Sequence, residues 1–195
     1  MLVAWYLRRA IPWMALLGCL VGSLLLTVAL DRWPSTAGVL LPVLVACCTA
    51  SAAFTFDEAS LAVVEVTPRG ALWRRTTRLG VALLPLTAWT VVVALRPGDL
   101  PLSRGPWLLI GLACLAVTTG LAGLASRHSV ATPGGSIATG VVLAVISPVV
   151  VAGFLGWDSL YPVGEFPGDM LAFWLVVAAG GALACVAALR PAFHS

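Results

Sequence analysis

The stretch GSIATGVVLAVISPVVVAGFLGW, residues 135–157, contains no charged residue along its whole length. A bilayer's hydrocarbon core is about 30 Å thick, and an α-helix needs about 20 apolar residues to cross it. The stretch therefore predicts a transmembrane helix. Five other apolar runs of similar length occur, so the sequence predicts six spans, over residues 11–30, 35–56, 79–95, 105–126, 135–157 and 170–189.

The composition supports the same class of protein. Of the 195 residues, 61% are hydrophobic and 10% are charged, with a mean hydropathy of +1.04, whereas soluble domains carry about 25% charged residues. Too few polar residues are present to cover an apolar core in water. We therefore predict an all-α polytopic membrane protein with one transmembrane domain, residues 1–195, and no nucleic-acid partner.

The positions of the arginines predict the orientation, because positively charged loops stay on the cytoplasmic side. With both termini in the cytoplasm, eight arginines lie inside and three outside, and most acidic residues lie outside. The inner set is Arg8, Arg9, Arg69, Arg74, Arg75, Arg78, Arg127 and Arg190, and the outer set is Arg32, Arg96 and Arg104. Residues 1–10 combine apolar side chains with Arg8 and Arg9, which predicts a short N-terminal helix lying in the inner interface.

Tryptophan and small residues refine the boundaries and contacts of the spans. Five tryptophans lie near span ends, where indoles favour the headgroup level, and two do not and are interpreted as packing residues. The GxxxG pair Gly18 and Gly22 predicts a close helix contact in the first span. Three prolines predict kinks, which serve either as hinges or as ordinary bends. The tryptophans near span ends are Trp13, Trp33, Trp73, Trp107 and Trp157, and the two interpreted as packing residues are Trp89 and Trp174. The prolines are Pro42, Pro85 and Pro148.

Several functions are disfavoured by residues that the sequence lacks. The chain has no Lys, which a phosphate-binding P-loop requires. No Asp, Glu, Arg or His lies deep within a span, although ion-coupled carriers keep such residues there. The five cysteines show no metal-ligand spacing, and no catalytic motif is visible. We expect a chain that is not an enzyme by itself and holds no cofactor or metal.

One inner loop has a distinctive pattern: DEASLAVVEVTPRGALWRRTTR, residues 57–78. Asp57 is suited to cap a short helix after it, and Pro68-Arg69-Gly70 separates that helix from a second, basic one. The arginines of the loop either sit among anionic headgroups or form a docking surface for a partner.

This loop resembles that of the permease subunits of type-two ATP-binding-cassette (ABC) exporters. In that family an acid, a Glu-Leu-Leu segment and Thr-Pro precede a basic helix; here Glu65 is followed by Val66 and Thr67-Pro68-Arg69, while Ala62-Val63-Val64 stands where the family often has Gly-Thr. The layout of an N-terminal elbow, six spans and cytoplasmic ends is also similar. The resemblance implies a cytoplasmic coupling helix between spans two and three and an ATPase-docking loop of Asp57, Glu58, Glu65, Thr67, Pro68, Arg69, Arg74 and Arg75.

The resemblance also implies a role for the outer segment, Asp158–Asp169, which would cover the translocation path and include the gate residues Tyr161, Glu165 and Phe166. The expected function is that of a permease subunit of an exporter for an apolar or amphiphilic substrate. ATP and Mg²⁺ would bind a separate P-loop ATPase subunit, and a second permease chain, identical or different, would complete the path among membrane lipids. The absence of Lys, Asn and Gln fits a high-GC bacterium, so we expect a multi-pass protein of its cytoplasmic membrane.

Three alternatives remain open from the sequence. The chain could be an accessory or scaffold subunit of a larger membrane complex, or a haem-handling permease of the cytochrome-maturation type. It could instead be a membrane-embedded enzyme acting on lipids, which would need polar residues gathered at one membrane face, and only Asp57, Glu58, Arg127 and His128 offer that.

Overall fold

The structure, a computed structural model, describes residues 11–57, 71–95, 99–128 and 134–190. These residues form seven α-helices and two short 3₁₀ turns, Pro34–Thr36 and Ser51–Phe56, and no strand occurs among them. The helices are α1 (Trp13–Arg32), α2 (Ala37–Ala50), α3 (Ala71–Ala82), α4 (Leu84–Leu95), α5 (Arg104–His128), α6 (Gly134–Leu155) and α7 (Gly168–Leu189).

Six helical segments of the described chain are long and apolar enough to cross a membrane, which confirms the predicted number of spans. They are Trp13–Arg32, Pro34–Phe56, Thr76–Leu95, Arg104–Ser126, Gly134–Leu155 and Gly168–Leu189. The third span combines part of α3 with α4, and the helix is interrupted at Leu83, two residues before Pro85. The predicted interfacial helix at residues 1–10 and the coupling helix after Asp57 lie outside the described residues. The orientation stays a prediction.

The second span lies at the centre of the bundle and is the most buried of the six. It contacts α1, α4, α5 and α6, and the side chains of Leu41, Leu44 and Val45 are fully enclosed. By contrast, few residues of α1, α6 and α7 are buried, which suits a surface solvated by lipid.

The most extensive helix pairing joins α5 and α7. They run in the same direction, because Val117 lies beside Gly181 and Gly120 lies beside Ala184. A Cβ added at Gly181 would lie 2.7 Å from the backbone nitrogen of Val117, so only glycine permits this approach. Such contacts between small residues are how membrane helices pack closely.

The close contact predicted at Gly18 and Gly22 is not found within the described chain. An added Cβ at Gly18 would have no neighbour within 4 Å, and one at Gly22 would make an ordinary 3.5 Å contact with the Cys47 sulfur. A small-residue motif shows that a helix can be approached closely but does not identify its partner, so the predicted contact stays a prediction.

A second contact in which a glycine leaves room for a neighbouring side chain lies between α4 and α5. The indole of Trp89 occupies the space that a Cβ on Gly111 would need. Trp89 is fully buried, and its Nε1 donates a 3.0 Å hydrogen bond to the carbonyl oxygen of Trp107. Glycine at 111 therefore allows a buried indole to fasten the third span to the fourth.

The helix α6 ends in a glycine-based cap. Gly156 has a φ of +67°, and the N–H of Trp157 donates to the carbonyl of Ala152, 3.1 Å away. Glycine adopts this left-handed conformation without steric strain, and the chain then turns into the outer segment.

Candidate functional site

A polar junction lies at the predicted cytoplasmic end of the bundle and consists of Phe56, Asp57, Arg78 and Gly134. Asp57 is 8% exposed and Arg78 is 4% exposed, which is unusual burial for charged side chains. The guanidinium of Arg78, on α3, donates a 3.1 Å hydrogen bond to the carbonyl oxygen of Phe56. This bond joins the end of the second span to the start of the third.

Asp57 extends the polar junction to the fifth span. Its Oδ1 accepts a 2.6 Å hydrogen bond from the backbone N–H of Gly134, the first residue of α6. A carboxylate is favourable here because the start of a helix carries unpaired N–H groups and a positive dipole end. A Cβ at Gly134 would lie 2.5–2.7 Å from the carboxylate atoms, so the bond requires glycine at this position.

Burial and bonding act in opposite directions on the acidity of Asp57. Burial raises the pKa of this carboxyl above its ordinary value, while the N–H of Gly134 and the charge of Arg78 lower it, and burial dominates. The folded protein therefore binds a proton at Asp57 more readily than the unfolded chain does.

The predicted ATPase-docking loop begins and returns at this junction. Asp57 itself is buried, so it anchors the loop and offers little surface to a partner. Arg74 and Arg75 lie on α3, but their side chains lie outside the described part of the structure. The remaining predicted docking residues, Glu58, Glu65, Thr67, Pro68 and Arg69, also lie outside it.

Tyr161, the one predicted gate residue that is fully buried, holds the outer segment in place. Its hydroxyl donates to the carbonyl oxygen of Val145, 3.0 Å away, and its ring contacts those of Trp107 and Trp174, with centroids 6.4 and 5.5 Å apart. Burial raises the pKa of the Tyr161 phenol, and the nearby Cys114 adds to the increase. The phenol therefore stays protonated and keeps its hydrogen bond across the physiological pH range.

Two further hydrogen bonds hold the same segment. Trp174 Nε1 donates to the carbonyl of Leu160 at 3.1 Å, and Ser103 Oγ donates to the carbonyl of Gly164 at 2.8 Å. Of the other predicted gate residues, Phe166 is half-buried against the core and Glu165 is exposed. The segment is a packed cap over the outer ends of α5, α6 and α7.

The structure divides the tryptophans into buried and exposed residues in a way that differs in part from the sequence prediction. Trp89 and Trp174 are buried, which confirms their interpretation as packing residues, but Trp107 is also fully enclosed. Trp33 and Trp157 are 59% and 67% exposed, as residues at a membrane interface would be. Trp107 was expected among these because it lies near the start of α5, but the outer segment covers it. Its Nε1 has no hydrogen-bond partner among the residues that the structure describes.

Hydroxyl groups within the described spans mostly bond to their own helix. Ser23 donates to the carbonyl of Cys19, Thr27 to that of Ser23, and Thr118 to that of Cys114, each at 2.8 Å. These bonds satisfy the hydroxyls locally. No group of three or more His, Cys, Asp or Glu residues placed to hold a metal ion occurs in the described ranges.

No family model, curated protein or solved structure matches this chain.

Proposed function

We propose that this chain is the permease subunit of an ABC transporter, an exporter that moves an apolar or amphiphilic substrate across the cytoplasmic membrane. ATP would be hydrolysed on a separate P-loop ATPase, and a second permease chain would complete the path. The observation that carries the proposal is the polar junction, because both ends of the predicted docking loop are anchored there.

The junction supports the proposal by supplying a mechanical connection. Arg78 joins the third span to the end of the second, and Asp57 joins the second to the start of the fifth. A subunit that moved the docking loop would therefore act on three spans together. Breaking either bond would leave buried polar groups unpaired, which is costly, so movement of the loop together with the spans is favoured over local breakage.

The spans themselves also support a chain powered by a partner. In the described residues, the charged side chains lie at or near span ends, such as Asp31 and Arg32 on α1 and Asp169 on α7. Ion-coupled carriers need ionisable residues at bilayer depth, whereas a permease driven by ATP hydrolysis elsewhere does not.

The proposal predicts that a reading frame adjacent to this one encodes a P-loop ATPase, and it is tested by purifying the chain in lipid nanodiscs with that ATPase. The chain alone should show no ATPase activity, and the complex should hydrolyse ATP. The double variant Arg74→Glu with Arg75→Glu should lose the ATPase on purification, whereas Arg74→Lys with Arg75→Lys should retain it because the charge is kept.

The matched control is Arg32→Glu, which reverses an exposed charge at the C-terminal end of α1, on the predicted outer side. It should leave the complex intact. Normal assembly of the Arg74→Glu, Arg75→Glu variant with the ATPase would contradict the proposal that these arginines form the docking surface. Purification of the chain in a membrane assembly that contains no ATPase would favour the alternative of an accessory subunit.

A further inference from the structure

A cavity of about 160 Å³ lies between α6 and α7, beneath the outer segment. The two helices both pack on α5, and the space between them is closed above by Leu160 and Tyr161. Its floor includes Cys114 and Val117 of α5. The cavity is thus bounded by three helices and by the cap that Tyr161 fastens.

The lining of this cavity is apolar and its polar atoms are already bonded or weak. Val141, Val145 and Val177 form much of the walls. The Tyr161 hydroxyl donates to the Val145 carbonyl, and the only other polar side-chain groups are the Trp174 indole N–H, which bonds the Leu160 carbonyl, and the Cys114 thiol, a poor hydrogen-bond partner. A polar or charged occupant would lose its hydration without gaining partners.

The size and lining of the cavity also argue against water. An apolar cavity of about 150 Å³ stays dry and accepts a molecule such as benzene. The cavity here therefore has room for a short length of hydrocarbon and offers water no polar partners.

The cavity opens sideways toward the lipid-facing surface. Ala144 and Phe173 line it and are both exposed, Phe173 by 45%. Ala144 lies eleven residues before the end of α6 and Val177 nine residues after the start of α7, or about 16 and about 14 Å along the helices. The cavity therefore reaches about half-way through a bilayer core of about 30 Å.

We propose that this cavity binds a segment of one hydrocarbon chain of a membrane lipid, taken from the leaflet on the predicted outer side. The inference rests on the cavity and its lateral opening and does not depend on an ATPase partner. The lipid chain would fill the space between α6 and α7 and contact the underside of the Tyr161 cap.

The test uses the full chain in nanodiscs of phosphatidylethanolamine and phosphatidylglycerol that contain a small fraction of phosphatidylcholine with a diazirine in its acyl chain. After irradiation, adducts are mapped by mass spectrometry. Val141, Val145 and Trp174 are no more than 7% exposed, so a lipid chain reaches them only through the cavity. We expect adducts on these residues as well as on Leu183, which is 71% exposed.

Filling the cavity should remove the buried adducts. Ala144→Phe and, independently, Val177→Phe should lower them by about tenfold, which corresponds to about 1.4 kcal/mol, while labelling of Leu183 is unchanged. The matched control, Leu143→Phe, alters an exposed neighbouring residue that does not line the cavity and should preserve the buried adducts. Adducts only on Leu183 in the unmodified protein, or buried adducts that both filling variants leave unchanged, would overturn the proposal.

Discussion

The carboxylate of Asp57 and the backbone N–H of Gly134 lie 2.6 Å apart and connect segments separated by 77 residues. The bond is buried and involves a charged acceptor, so its loss leaves two polar groups without partners in a region that excludes water. Such losses carry a penalty of about 1–3 kcal/mol. The stability of the helical bundle should therefore respond to changes at either residue.

Gly134→Ala should lower the stability of the protein by about 1–3 kcal/mol, because the new methyl group would occupy the position of the carboxylate. The midpoint of thermal unfolding in detergent measures this effect. Gly135→Ala is the matched control, since a Cβ there meets no atom of the described residues within 4 Å. Equal midpoints for the two variants would show that the hydrogen bond contributes nothing.

Asp57 should make the free energy of unfolding decrease as pH rises. Because burial raises its folded-state pKa above the ordinary value of 3.8, the folded state binds more protons than the unfolded state between these two values. Its contribution to stability therefore decreases as pH rises from 3.8 through the raised pKa, and is constant above it.

Asp57→Asn tests this dependence, because the amide oxygen still accepts from Gly134 but does not ionise. Unfolding midpoints recorded between about pH 4 and about pH 8 should fall more steeply in the unmodified protein than in the variant. Gly135→Ala should retain the original pH profile. Parallel profiles for the unmodified protein and Asp57→Asn would rule out Asp57 as the source.

Gly181→Ala should separate α5 from α7. The added Cβ would lie 2.7 Å from a backbone nitrogen, which cannot move without shifting the helix, and overpacking of this kind costs about 1–3 kcal/mol. Gly180→Ala, at a position where an added Cβ has no neighbour within 4 Å in the described parts of the chain, should keep the original unfolding midpoint. A destabilised Gly180→Ala beside an unaffected Gly181→Ala would contradict the parallel packing.

Tyr161→Phe should loosen the outer segment while the ring stays in place. The variant loses one buried hydrogen bond to Val145, worth about 0.5–1.5 kcal/mol. Hydrogen exchange of peptides covering Asp158–Asp169 should become faster, whereas Trp157→Phe, at a residue that is 67% exposed, should leave exchange unchanged. Unaltered exchange in Tyr161→Phe would mean that the hydroxyl does not hold the cap.

The six spans could be predicted because each is a run of about 20 apolar residues, and the physical requirement of the bilayer is local in sequence. The interruption before Pro85 could be predicted for the same reason, since proline acts on its own helix. These features need no knowledge of which helix lies beside which.

The polar junction and the α5–α7 contact could not be predicted, because they depend on distant partners. Adjacent glycines such as those at 134 and 135 are typical only of a turn before a helix, and Gly120 and Gly181 are not part of a GxxxG pair within one helix. Trp107 was assigned to the interface from its place near a span end, although the outer segment encloses it. Tertiary packing determined all three outcomes.

The close fit of Trp89 against Gly111 has an evolutionary consequence. A larger residue at 111 is incompatible with the indole, whereas a smaller residue at 89 leaves only a void that later changes can fill. Substitutions at the two positions are thus accessible in one order: the aromatic ring must be lost before the glycine can be replaced. Among homologous chains, sequences with a side chain at 111 should lack tryptophan at 89, and the pair should covary.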